Sequence, residues 1–334
     1  MTPPKTALVI GATGGFGSHT ALALIKRGWT VRALARDPAS AAERMGTRTP
    51  IDWVKGDAMD AASVVAAAKG ADLIVHAANP PGYRNWKGTV IPMLASTLAA
   101  ARASGARILF PASVYNFAPD SGANIGETAP QQPVTRKGRL RVRMEAMLRE
   151  AAERDGVRTL VLRAGDFFGP GPGGQSMDWL TIRRGGRVRA VYAPGPSHVG
   201  HAFAYLPDLG ETAARLADRE AELPAFAAFH FTGHWLGGAQ GLAQSVRRVL
   251  DQPNLPIRPF PEAVIRLISP FNETLRELLE MLYLWKKPIG LDNARLVAFL
   301  GEEPHTALDT AVRATLDDMG VLEEPPVRLF LQPA

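Results

Sequence analysis

Cysteine is absent from the 334 residues, which excludes disulfide bonds, thiolate metal ligands and a cysteine nucleophile together. No apolar run reaches the roughly 18 to 20 residues that a membrane-spanning helix needs. The N-terminal apolar run, Ala7 to Ile10, is too short for the core of a signal peptide. We therefore expect a soluble, cytoplasmic protein with no membrane partner. Nor is there a large excess of either charge: 38 Lys and Arg against 32 Asp and Glu leave +6. That balance favours anionic ligands in general but is too dispersed to indicate nucleic acid, so no nucleic-acid partner is expected. Repeats and low-complexity tracts are also missing. Hydrophobic residues reach 46%, so the chain has the composition to fold and the length for about two domains.

Up to about residue 165, short apolar segments alternate with helical ones, the pattern of a parallel sheet covered on both faces. Strands are expected at TALVIG from Thr6, TVRALAR from Thr30, IDWVKGD from Ile51, ADLIVHAA from Ala71, ARILFPAS from Ala106 and VRTLVLRAG from Val157. Helix candidates between them close on glycine signals at Gly28 and Gly105. Parallel neighbours need long crossovers, so these strands and helices make a doubly wound α/β fold. After Gly165 the rhythm breaks at the Pro/Gly loop FFGPGPGGQS. Beyond it, strands at RVRAVYAPG and AFHFTG, a helix about Asp208 to Ala217, and Leu- and Arg-rich helices predict a smaller, mostly helical region.

Directly after the first strand comes Gly11-Ala12-Thr13-Gly14-Gly15-Phe16-Gly17, followed by a helix. Glycine is needed where such a turn is tight, where backbone approaches a pyrophosphate, and where helix packs on strand. The helix N-terminus then offers free N–H groups to the phosphates. Gly11, Gly14 and Gly17 meet these demands, and the strand, helix and further alternating units supply the required context. At the end of the second strand an acidic residue holds ribose hydroxyls, whereas a basic one accommodates a 2′-phosphate. Arg36 stands there, 19 residues past Gly17, followed by Asp37. Its planar fork favours NADP(H), with NAD(H) possible through Asp37.

These segments resemble the short-chain dehydrogenase/reductase superfamily in its extended or atypical branch, the NAD-dependent epimerase/dehydratase-like proteins. GATGGFG is similar to that branch's cofactor turn. KGDAMD from Lys55 resembles its adenine-contacting segment, which implies cofactor contacts from Asp57 and Ala58. HAANP from His76 resembles the fourth-strand end, which implies contacts from Ala77, Ala78 and Asn79; Thr13, Gly15 and Phe16 join the glycines of the turn. SVYNF from Ser113, LRAGDFFGPG from Leu162 and AYLPDLGETA from Ala204 are also similar to that branch. The resemblance covers nearly the whole chain and weakens after about residue 240. It implies a dinucleotide-binding Rossmann domain over 1–165, completed by about 201–234. The substrate-binding region then comprises 166–200 and 235–334.

The family's chemistry uses a tyrosine four residues before a lysine, with a hydroxyl residue near the fifth strand's end. Alignment puts Lys137, Arg141 and Pro111 at those positions, so the usual proton relay is missing. Helical spacing places Lys137 and Arg141 on one face, where the arginine's charge and desolvation both push the lysine toward its neutral form. Neutral Lys137 can act as a base, and charged Lys137 as an acid or an electrostatic clamp. Arg141 can keep the ribose contacts. Tyr115 and Ser113, beyond a parallel strand's carboxyl end, are alternative groups to meet substrate, and Asp166 begins the loop after the sixth strand.

Histidines at 198 and 201, and at 230 and 234, lie in segments read as extended, where residues four apart stand roughly 13 Å from each other. No metal site is expected. Arg183, Arg184, Arg187 and Arg189 surround Gly185-Gly186 and read as a solvated hairpin. The expected function is an NADP(H)-dependent oxidoreductase or epimerase-like enzyme on a small carbonyl or alcohol. The rival is a non-catalytic NADP(H)-binding redox sensor. A homodimer is compatible with either.

Overall fold

The structure, a computed structural model, describes residues 4–80, 85–171, 177, 180–184 and 186–322. Residues 172–176 of the Pro/Gly loop and Gly185 of the basic hairpin therefore lie outside the described residues.

Each short apolar segment of the N-terminal half forms a strand, and the first five are each followed by a helix. The order runs β1 (Thr6–Ile10), α1 (Gly15–Lys26), β2 (Thr30–Ala35), α2 (Pro38–Met45), β3 (Ile51–Lys55), α3 (Ala61–Ala67) and β4 (Leu73–His76). It continues with α4 (Trp86–Ser104), β5 (Arg107–Ser113), α5 (Arg136–Asp155) and β6 (Thr159–Ala164). Alternate residues of β1 serve opposite faces, as period-two geometry requires. Ala7 and Val9 belong to one core with α1, and Leu8 and Ile10 to another with α3, α4 and α5. Burial on both faces explains why the strands read as continuous apolar runs.

After β6 come β7 (Asp166–Phe168), β8 (Thr181–Arg184), β9 (Arg187–Ala193), β10 (Gly200–Tyr205), α6 (Leu206–Asp218), β11 (Phe226–His230) and β12 (His234–Gly237). The C-terminal part holds α7 (Gly238–Val249), β13 (Ile257–Pro259), α8 (Glu262–Ile268), α9 (Glu273–Met281), α10 (Ala294–Leu300) and α11 (Leu308–Asp318). β11 returns to the main sheet, giving a seven-stranded order of β11-β6-β5-β4-β1-β2-β3. All its pairings are parallel. α6 packs along α1 and closes one face.

The region after β6 also carries two three-stranded sheets, β12-β10-β7 and β13-β9-β8. This corrects the expectation of a mostly helical region, which includes neither sheet: β7 and β13, only three residues long, give no apolar run, and β10 and β12 are not among the expected strands either. β8 and β9 form the antiparallel hairpin expected at the basic run. A third core joins β7 and β10 to α7 and α11 through Phe168, Phe203, Leu242, Val246, Val312 and Leu316. A fourth, small cluster unites the loop after β5, at Val114, Phe117 and Ile125, with Met281, Leu284, Ile289 and Leu291. The C-terminal segment is thereby held against the carboxyl edge of the main sheet, the edge where open α/β sheets bind ligands.

Candidate active site

The glycine turn is built by close backbone approach. Gly11 has φ +93°, and a Cβ there would stand 2.7 Å from the Ala77 carbonyl carbon and 2.8 Å from the Ala78 nitrogen. A Cβ at Gly17 would lie 2.2 Å from the Gly11 oxygen. The Gly14 amide donates to the Gly11 oxygen at 3.0 Å, and Gly14 caps α1 with no side-chain hydrogen bond. The first amides of α1 thus lie beside the carboxyl end of β4. Thr13 and Gly15 lie within this turn, and Phe16 is buried in the core behind it. A backbone cradle that a Cβ would fill, at a helix N-terminus, fits the diphosphate of a dinucleotide.

Toward the edge of the sheet, Arg36 is exposed just past β2 and makes no ion pair or hydrogen bond among the described residues. Asp37 is otherwise engaged, since its carboxylate accepts the Ser40 amide at 3.1 Å and caps α2. Asp57 accepts the Met59 amide at 2.9 Å, and Ala58 packs on the core under α3. Ala77, Ala78 and Asn79 follow β4 directly, with the Ala77 amide donating to the Ile10 oxygen at 2.8 Å.

At the other end of the cleft, Ser113 ends β5 in register with Ala164 of β6. Its hydroxyl oxygen is buried with no hydrogen-bond partner among the described residues. Tyr115 follows in a short 3₁₀ turn and is partly buried between two cores. α5 starts close against it: Thr135 caps the helix through the Gly138 amide at 3.0 Å. A Cβ on Gly138 would come within 2.3 Å of the Tyr115 carbonyl oxygen.

Lys137 and Arg141 leave this helix into different surroundings. Lys137 is 1% exposed. Its ammonium donates to the Glu277 carbonyl and the Glu277 carboxylate, each at 2.7 Å, and to Glu280 at 3.0 Å. Arg136 pairs with the same two glutamates. The expectation set Lys137 against Arg141's charge; the structure sets its ammonium against two carboxylates of α9. Arg141 lies over the Trp86 and Phe110 rings, 5.0 and 5.7 Å from their centroids. Its guanidinium donates to the Pro111 carbonyl at 3.4 Å.

Two charged clusters escaped sequence reasoning because their members are far apart in the chain. Behind the site, Glu145 accepts from Asn116, Gln131 and Arg163 at 2.7 to 2.8 Å. Arg163 also donates to the Ser113 carbonyl and to His230 Nε2. His230 Nδ1 faces the Ile125 carbonyl at 2.8 Å, which fixes the neutral tautomer with hydrogen on Nδ1. Burial, reinforced by Arg163, brings this ring down to about 4. In front, Asp166 meets His201 Nε2 at 2.9 Å while Nδ1 faces the Leu284 carbonyl at 3.1 Å. The His201 ring is stacked on Trp285 with centroids 3.7 Å apart. His230 and His201 thus enter separate polar networks, and among the described residues no group of three His, Cys, Asp or Glu could hold a metal.

A model of the NAD dependent epimerase/dehydratase family matches residues 7–184. The chain belongs to that family. A UDP-glucose 4-epimerase of Azospirillum brasilense is 28% identical over 182 residues, 51% of this chain and 51% of that protein. The chain therefore spans about half the length of that relative. A 3-diazoavenalumate denitrifying reductase of Streptomyces sp. is 29% identical over 274 residues, 77% of this chain and 84% of that protein. The crystal structure of UDP-glucose 4-epimerase from Bifidobacterium longum in complex with NAD+ and UDP matches with a TM-score of 0.74. That alignment covers 94% of this chain and 97% of the other at 16% identity, a likeness of fold. In this chain Lys137, on the helix that meets α9, holds two carboxylates.

Proposed function

We propose that this family member is a nicotinamide-dinucleotide-dependent oxidoreductase acting on a small carbonyl or alcohol. The observation that carries the reading is the cradle of Gly11, Gly14 and Gly17, closed against Ala77 and Ala78. The amides opening α1 would hold the diphosphate; Asp57 and Ala58 would line the adenine, and Asn79 and Arg141 the nicotinamide half. Hydride chemistry belongs to the dinucleotide when it is bound.

This chain's own residues orient the substrate and handle its proton. Ser113 has a buried hydroxyl free to bond a substrate oxygen, and Tyr115, on the same turn, supplies a phenol for the proton. Lys137 contributes charge and anchors α9 through Glu277 and Glu280. A reductase among the relatives supports a redox reading.

For the nucleotide form, the exposed, uncommitted Arg36 and the committed Asp37 support NADP(H). The Bifidobacterium neighbour was crystallised with NAD+ and supports NAD(H). Titrating NADPH and NADH by calorimetry against wild type and Arg36→Ala decides. Loss of about tenfold or more in NADPH affinity with NADH unchanged supports the arginine, and an NADPH preference untouched by the substitution removes it.

A second reading, a redox-sensing regulator without turnover, is favoured by the ion-paired state of Lys137 at the family's tyrosine position. Incubation with NADPH and a broad carbonyl panel separates the two. Consumption that falls at least about a hundredfold in Ser113→Ala or Tyr115→Phe, with nucleotide affinity retained, supports the enzyme. Stoichiometric binding without consumption supports the sensor.

A further inference from the structure

On α8 and the turn after it, Val264, Leu267, Ile268 and Phe271 are 55%, 77%, 44% and 90% exposed. Offsets of three, four and seven residues place them on one helical face. The inward side is formed by Ile265 and Ser269, both buried. Apolar residues at this spacing normally face a core, yet here they face outward. The chain around this face is cationic, with Arg258 and Arg266 before and within it and Lys286 and Lys287 after α9. One carboxylate, Glu262, is shared between Arg266 at 2.6 Å and Lys286 at 2.9 Å. The next, Glu273, is turned to the Asn85 amide at 3.2 Å.

We propose that this face docks on the surface of an anionic lipid bilayer. The four apolar side chains enter the interfacial layer and the flanking cations meet the headgroup phosphates, the arrangement of an interfacial amphipathic helix. Symmetric pairing of two copies fits less well. An isologous contact sets the patch against itself, so the same excess of cations faces itself across the two-fold axis. Peripheral docking needs no spanning segment, and among the described residues no helix is long and apolar enough to cross a membrane. The inference thus revises the expectation of no membrane partner, which rested on the lack of such a segment. It is independent of the nucleotide chemistry proposed above.

The test is flotation of the full chain with phosphatidylcholine vesicles and with the same vesicles enriched in phosphatidylglycerol. Binding is expected to the enriched vesicles only, to weaken as salt rises, and to fall about fivefold for each cation removed in Lys286→Gln and Lys287→Gln. Leu267→Glu and Phe271→Glu are expected to lower it at least tenfold. Their exposed positions leave the fold intact, checked by an unchanged melting temperature. Failure to float with anionic vesicles overturns the proposal, as does flotation that Phe271→Glu leaves intact. So does light scattering that finds a wild-type dimer, dissociated by Phe271→Glu, with no vesicle binding.

Discussion

At the scale of single residues, Lys137 shows what helical spacing can and cannot reveal. The sequence puts it four residues before Arg141 and hence on one face of α5, but its partners Glu277 and Glu280 lie 140 and 143 positions away. The ion pairs are buried at the lysine end, where losing one partner costs far more than the pair contributes. Burial alone would raise the Glu280 carboxyl, but hydrogen bonds from Lys137 and the Arg136 amide outweigh it and hold it below the ordinary range. Lys137→Met is therefore expected to destabilise the protein by roughly 3 kcal/mol, because two carboxylates are left without their buried cation. Urea unfolding measures this. Adding Glu277→Gln and Glu280→Gln to the lysine variant should recover part of the loss, and a loss unaltered by those changes would mean that the carboxylates are not what the lysine compensates.

At the scale of elements, the parts written in local sequence were legible and the parts made by distant pairing were not. The turn before α1 was readable because each glycine answers a local demand, and the structure supplies the clash that explains it. Gly17→Ala places a Cβ 2.2 Å from the Gly11 oxygen, against backbone that cannot turn aside, so α1 must move off its strand. We expect at least a hundredfold loss of dinucleotide affinity by calorimetry, consistent with the sensitivity of preorganised sites to shifts of about 1 Å. Gly126→Ala, where a Cβ meets nothing within 4 Å, is the control. Capped by Thr135 and closed by Gly156 at φ +66°, α5 was legible as a helix only through the family resemblance. Its docking against Tyr115 was not, since Gly138 carries no signal that a carbonyl oxygen will sit where its Cβ would be. The apolar stretch from Leu275 to Trp285 contributes Met281, Leu282 and Leu284 to the buried interior. The face of α8 just before it is exposed, a distinction between neighbouring stretches that periodicity alone cannot make.

At the scale of the whole molecule, the alternation of apolar strands with helices determined the parallel sheet, because only both-face burial accounts for such runs. What alternation could not show is how the C-terminal segment folds back over the carboxyl edge and buries polar groups there. Elsewhere, too, the fold buries polar groups, and three histidines are held neutral. His76, at the end of β4, is brought down to about 3 by burial and by nearby Arg141. His230 and His234 are each brought down to about 4, by burial first and then by Arg163 and His305 respectively. An unfolded chain protonates such rings near 6.5. Between that value and about 4 the unfolded state therefore binds protons that the folded state refuses, so stability rises with pH across this window and is lost as pH falls. For His230 alone the difference between pH 7.5 and pH 5 is about 2 kcal/mol. Urea midpoints measured over that range should fall steadily with acidification, before most carboxylates begin to titrate. His230→Gln should remove its share of the slope while leaving the rest. A midpoint unchanged from pH 7.5 to pH 5 would mean that these rings accept protons in the folded protein, and that the Arg163–His230 contact behind Ser113 is not the neutral hydrogen bond its geometry implies.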